Sequence, residues 1–133
     1  MKLCSIMSTR LVTVELDDTL EVVKLIFDSA RFHHLLVVDA GKKLLGVISD
    51  RDLLRALSPY VGTASENARD TATLRKRVHQ IMSRKPFTLP PEASVTDAIN
   101  LFLTSRVSCI PIVDPHLKPV GIVSWRDVLK TLV

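Results

Sequence analysis

A chain of 133 residues is long enough to remove about two thirds of its unfolded surface from water, and so to build a core without disulfide or metal staples. Hydrophobic residues make up 47% and charged residues 24%, which excludes a disordered chain, and a formal charge of +4 with 5% aromatics argues against a broad nucleic-acid-binding face. No apolar run approaches the roughly 18 residues of a membrane span, and the opening MKLCSIMSTR carries no apolar signal core, so a cytoplasmic protein is expected.

Along the chain, the first strand candidate is LVTV at 11–14. The segment DDTLEVVKLIFDSA then places Leu20, Val23, Phe27 and Ala30 at helical spacing, with Asp18 and Glu21 fitting a capping box at its start. LLVVD and LLGVIS, joined by a hairpin at 40–43, are apolar and rich in β-branched residues, as buried strands are. A helix follows from about Asp50 to Leu57. The next stretch begins as a Ser, Gly, Thr and Asn-rich loop, and from about Asp70 it looks helical. Its basic cluster LRKRVH at 74–79 reads as a solvated helix face. From Ile81 the same order returns, with Ser94 and Asp97 as a capping box, CIPIVD and PVGIVS as strands, and a helix after Ser124. Cys4 and Cys109 show neither paired nor metal-type spacing, and Cys109 lies in an apolar run, so buried reduced thiol is the expected state.

The recurrence is a sequence repeat. Residues 6–57 align with 81–132 without a gap, identical at fifteen positions that include Met7, Arg31, Gly46, Ser49, Arg51 and Asp52. Such a register marks one structural unit used twice. The division expected is a first motif at 1–60, a linker and lead-in helix at 61–80, and a second motif at 81–133. Neither unit can bury both faces of its sheet alone. The fold class expected is therefore mixed α+β: two β-α-β-β-α motifs related by a pseudo-twofold axis, packed face to face, with two equivalent clefts at their junction.

The motif common to both copies is G-x-x-S-x-x-D before the last helix. Ser49 with Asp52, and Ser124 with Asp127, have the spacing of capping boxes. The same geometry suits a nucleotide. A helix start favours phosphate, the aspartate can accept hydrogen bonds from paired ribose hydroxyls, and the adjacent Arg51 and Arg126 can meet the phosphate charge.

With IMS opening each copy, CIPIVD as a hydrophobic-Pro-hydrophobic strand and G-x-x-S-x-x-D before each last helix, the chain resembles a tandem pair of cystathionine-β-synthase (CBS) domains, the arrangement called a Bateman module. The resemblance implies a regulatory ligand sensor without chemistry of its own. It needs no cofactor, and binds an adenosyl ligand such as AMP, ADP, ATP, S-adenosylmethionine or NAD. It implies pairing into homodimers, signalling through dimer or partner rearrangement, and no membrane partner. It also places the ligand. One cleft would combine Ser124, Asp127, Arg126 and Ile122 with Val12, Phe32, His33 and His34 of the other copy; the second would combine Ser49, Asp52, Arg51 and Val47 with Phe87, Val107 and Ser108.

The copies differ where it matters. Leu36 stands where the second copy has Pro111, which leaves the local backbone of the first copy open. Asp50 adds a negative charge to the first helix start, whereas Trp125 takes that place in the second. The cleft of Asp127 is therefore expected to be the better site for an anionic nucleotide. Trp125 is read as an exposed or dimer-contact side chain, with base stacking as the other possibility. An enzyme is disfavoured because no nucleophile–base constellation, Gly-rich phosphate loop or metal-ligand spacing occurs. Two further readings stay open: a structural dimerisation module with empty clefts, and nucleic-acid binding through Arg75 to Arg77.

Overall fold

The computed structural model describes residues 1–29 and 32–133. Ala30, the last residue of the expected helical stripe, and Arg31, one of the repeat's identities, lie outside the described residues.

The first copy runs through strand β1 (Thr13–Val14), helix α1 (Leu20–Ser29), strands β2 (His34–Val38) and β3 (Leu44–Ser49), and helix α2 (Asp50–Ala56). Two short helices, α3 (Ala68–Ala72) and α4 (Val78–Ile81), lead to strand β4 (Ser83–Arg84). Helix α5 (Val95–Thr104), strands β5 (Cys109–Val113) and β6 (Pro119–Ser124), and helix α6 (Trp125–Lys130) complete the second copy. The fold is mixed α+β, as the repeat implies.

One sheet has the order β1-β2-β3-β4 and the other pairs β5 with β6. Pairing in the two copies is superimposable by residue number. His34 lies opposite Ser49 as Cys109 lies opposite Ser124, and the register shifts at Val37/Val38 and again at Ile112/Val113. Leu36 and Pro111 therefore occupy the same backbone. The proline acts instead on the neighbouring strand. Leu36 donates its N–H to the Val12 carbonyl at 3.2 Å, whereas Pro111 has no N–H to give. This explains why β1 pairs along β2 while the second copy has only a bridge from Leu89 to Ile112. Of the candidate strand at 11–14, Thr13 and Val14 form β1, opposite Leu36 and Val37 of β2.

Alternation along the strands divides each sheet between two cores. Leu35, Val37 and Ile48 face α1 and α2 with Leu20, Val23 and Leu53. Ile110, Ile112 and Val123 face α5 and α6 with Ala98, Phe102 and Val128. Leu36, Val47 and Cys109 point the other way and meet at the junction with Leu11, Leu44 and Ile122.

The opening segments are exchanged between copies. Leu3, wholly buried, belongs to the core of the second copy, and Val78, its counterpart 75 residues on, belongs to the core of the first. The hydrogen bonds match: Leu3 donates to the Ala93 carbonyl at 2.8 Å and Val78 to that of Asp18 at 2.9 Å. Ser8 then pairs with Ile122 of β6, and Ser83 with Val47 of β3. Gly46 and Gly121 sit under these crossings. A Cβ at Gly46 would lie 2.6 Å from the Ser83 carbonyl oxygen, and one at Gly121 would lie 2.8 Å from Met7 Cγ. The repeated glycine and the repeated IMS are thus one contact, made twice.

Two local expectations are corrected. Asp18 does not cap α1, because its carboxylate accepts the Glu15 N–H at 2.8 Å; the residue before the helix is Thr19, whose Oγ1 accepts from Val22 at 3.5 Å. The run after Asp70 is not one solvated helix but α3, a 3-10 turn (Thr73–Arg75) and α4. Lys76 donates to the Ala56 carbonyl at 2.8 Å and Arg77 to that of Asp17 at 2.7 Å, so two of the three clustered cations fasten the lead-in to the first copy. The loop before it is pinned by Asp70, buried, which accepts from Ser58 Oγ at 2.6 Å and from the Asn67 N–H at 2.9 Å.

Candidate functional site: two clefts at the junction

Exchange of the opening segments creates two cavities. One, of about 330 Å³, is walled by Val47, Ser49 and Asp52 from the first copy, and by Ser83, Arg84, Lys85, Pro86, Phe87, Arg106, Val107 and Ser108 from the second. The other, of about 310 Å³, is walled by Ile122, Ser124 and Asp127, and by Ser8, Arg10, Leu11, Val12, Phe32 and His33. His34 and Cys109 line both. Each volume lies at the lower end of pockets that hold small ligands. Most of the residues named by the resemblance come together here: Val47, Ser49, Asp52, Phe87, Val107 and Ser108 in the first cleft, and Ile122, Ser124, Asp127, Val12, Phe32, His33 and His34 in the second.

Ser49 and Ser124 end β3 and β6 in extended conformation, and each caps the helix that follows. Ser49 Oγ accepts the Asp52 N–H at 3.1 Å while Asp52 Oδ2 accepts the Ser49 N–H at 2.9 Å. In the second copy Asp127 Oδ2 accepts both the Ser124 N–H at 2.8 Å and its hydroxyl at 3.1 Å. The cap thus occupies one oxygen of each carboxylate. Oδ1 of Asp52 and of Asp127 receives no hydrogen bond from the described residues, so each cleft is left an anionic acceptor suited to hydroxyl donors.

The arginines next to these aspartates are misplaced in the sequence reading. Arg51 and Arg126 are exposed and are not among the residues lining either cleft. Neighbours i and i+1 on a helix point about 100° apart, so a side chain beside the inward aspartate faces away. Of the cations that do line the clefts, Arg84 and Lys85 in one and Arg10 in the other follow the exchanged segments, while Arg106 joins the first from the connection between α5 and β5; the Arg10 guanidinium lies 5.6 Å from the centre of the Phe32 ring. A repeat signal for them was present, since Arg10 and Lys85 are a basic pair at equivalent positions just after IMS.

Asp50 and Trp125 also behave differently from expectation. Asp50 does not line the Asp52 cleft; its carboxylate lies 3.0 Å from His33 Nδ1, toward the other cleft. Burial alone would raise its pKa, but the hydrogen bond from His33 and the Arg51 N–H hold it below the usual carboxylate range. Asp50 does place a negative charge in the first turn of α2, as expected, but Arg84, Lys85 and Arg106 gather positive charge at the Asp52 cleft and offset it. Trp125 lines neither cleft. It stacks on Phe102 with ring centres 5.1 Å apart and remains half-exposed, which removes base stacking.

On the axis between the clefts, His34 Nε2 lies 2.9 Å from Ser108 Oγ. Burial lowers the pKa of this imidazole, Asp50 and Asp52 oppose the shift, and His33 adds to it. Cys109, the counterpart of His34, is buried, and burial raises its thiol to about 12. Cys4 is exposed. No helix among the described residues is long and apolar enough to cross a membrane.

Comparison with known proteins places this architecture. The CBS domain family matches residues 3–59 and 78–133. A CBS domain-containing protein of Dictyostelium discoideum is 33% identical over 129 residues, covering 96% of this chain and 88% of its own. Among solved structures, CBSX2 of Arabidopsis thaliana in complex with AMP has a TM-score of 0.81 at 23% identity, over 98% of this chain and 95% of that one. The CBS domain pair of protein MJ0100, in complex with 5′-methylthioadenosine and S-adenosylmethionine, gives 0.79 at 24% identity, over 99% and 95%. Protein MJ1225 of Methanocaldococcus jannaschii, described as an archaeal homologue of γ-AMPK, gives 0.83 at 25% identity over 99% of this chain and 50% of that one. Since the family match takes in both copies of the repeat and most of the chain, the chain belongs to the CBS domain family.

Proposed function

We propose that this chain is a regulatory module that binds adenosyl nucleotides in its two clefts and performs no chemistry of its own. The observation that carries the reading is Oδ1 of Asp52 and of Asp127, left without a hydrogen bond from the described residues in clefts that the opposite copy lines with Phe87 and Val107 or with Val12 and Phe32. A ribose diol donates to that oxygen, and the base lies against Phe87, Val107 and Val47 in one cleft or Phe32, Val12 and Ile122 in the other. The AMP and S-adenosylmethionine complexes of structural neighbours support the same ligand class. In the Asp52 cleft Arg84, Lys85 and Arg106 favour a phosphorylated nucleotide over the sulfonium cation of S-adenosylmethionine. Binding would shift how the chain pairs with a second copy or a protein partner, in proportion to the ligand's differential affinity for the two arrangements.

A second reading is a structural module with empty clefts, favoured by the fact that both capping boxes are already closed without ligand. Thermal unfolding with millimolar AMP, ADP, ATP, S-adenosylmethionine and NAD separates the two. A ligand at about 100 times its dissociation constant adds about 2.7 kcal/mol, which raises Tm by several degrees at this size. We expect a rise with phosphorylated nucleotides that Asp52→Asn diminishes, since asparagine keeps the cap and removes the charge. No rise with any of the five returns the chain to the structural reading.

A further inference from the structure

The two clefts are chemically separate except at one place, the axis, where His34 and Cys109 line both. These residues are counterparts in the repeat, yet only one can change charge near neutrality. The Cys109 thiol, pushed up to about 12, stays neutral. We propose that His34 is a ligand-charge sensor shared by the two clefts: an anionic group bound in either one draws a proton onto this imidazole, and the protonated ring then favours an anion in the other. The inference rests on the adenosyl-nucleotide reading and adds to it a physical link between the sites.

The surroundings of His34 are suited to this. Its Nε2 is anchored across the copies on Ser108 Oγ at 2.9 Å, and a hydroxyl can accept from the protonated ring as readily as it donates to the neutral one. The charged groups around it are of both signs. Asp50 and Asp52 from α2 favour the proton and His33 opposes it. Arg84, Lys85 and Arg106 on the Asp52 side, and Arg10 with Asp127 on the other, are the remaining charges of the clefts it lines. Half-buried, the ring is neutral in the empty protein above the usual histidine range, because burial lowers its pKa. A phosphate arriving within reach adds a negative charge that favours the protonated ring.

If each anion raises the His34 midpoint by about one pH unit, linkage makes the affinity of the second cleft rise by about threefold at a pH one unit above the empty protein's midpoint. The effect disappears at higher pH, where the ring never charges, and at lower pH, where it is charged already.

The test is an NMR titration of the His34 ring Cε1–H in the full-length chain, assigned by its loss in His34→Gln, without ligand and with saturating AMP or adenosine. We expect the midpoint to move upward by about two units with AMP in both clefts and not with adenosine, and by only about one unit from its own ligand-free value in Asp52→Asn and in Asp127→Asn, where one cleft at a time is weakened. Equilibrium dialysis with AMP at the pH of greatest coupling should give an isotherm steeper than at pH 8, and His34→Gln should abolish the difference. AMP that binds while the His34 midpoint stays fixed overturns the sensor and leaves the nucleotide reading standing. Failure of AMP to bind overturns both.

Discussion

At the scale of single residues, the repeated glycine is the clearest case of a position whose role the fold explains. A methyl at Gly46 would press on the Ser83 carbonyl, which is held in the β3–β4 pair, whereas at Gly121 the nearest atoms belong to the flexible Met7 side chain. Gly46→Ala should therefore cost about 1–3 kcal/mol in denaturant unfolding and Gly121→Ala less, although the two positions are equivalent in sequence. Equal costs would show that the crossing segments adapt alike. His34 supplies a pH signature of its own. Its folded-state pKa lies below the unfolded value, so the unfolded chain binds more protons. Stability in the absence of ligand should accordingly fall as pH drops below 6.5 toward the folded-state midpoint, and His34→Gln should flatten that part of the profile measured by Tm against pH.

At the scale of elements, the linker is better fastened than its composition suggests. Asp70 joins the end of α2 to the start of α3 through Ser58 and Asn67, and it is buried. Its replacement by alanine leaves Ser58 Oγ and the Asn67 N–H without their acceptor, and should cost about 1–3 kcal/mol without changing nucleotide affinity. The two hairpin strands and the main helices of both copies were legible in the sequence because periodicity and the repeat report them directly, whereas β4 was not expected and the opening strand of the second copy is reduced to a bridge at Leu89. The breaks after Asp70 were not, since Lys76 and Arg77 leave the helical path to reach carbonyls of the first copy, a tertiary reason with no local sign. The site was legible in the same uneven way. Ser49, Asp52, Ser124 and Asp127 announce themselves through the capping pattern, whereas Arg84 depends on which segment crosses to which copy. Arg51 and Arg126 misled because adjacency in sequence is not adjacency on a helix.

At the scale of the whole molecule, the exchanged openings complete each core with a segment of the other copy. Leu3 lies near the start of the chain, where truncation is ordinarily harmless, yet it is wholly buried in the core of the second copy. Leu3→Ala should cost about 2–5 kcal/mol, in the range of an interior leucine, and unfolding should remain a single transition by both fluorescence of Trp125 and far-UV circular dichroism. Two separated transitions would mean that each copy holds together without the other's opening segment.

The pair on the axis carries a historical meaning as well. Two identical single-motif chains exchanging their openings would build the same two clefts, but symmetry would force one amino acid onto both central positions. Such an ancestor could place two imidazoles or two thiols face to face, and never one of each. Within one chain the two halves are free to differ, and His34 with Cys109 is a combination that a symmetric pair of identical chains cannot present.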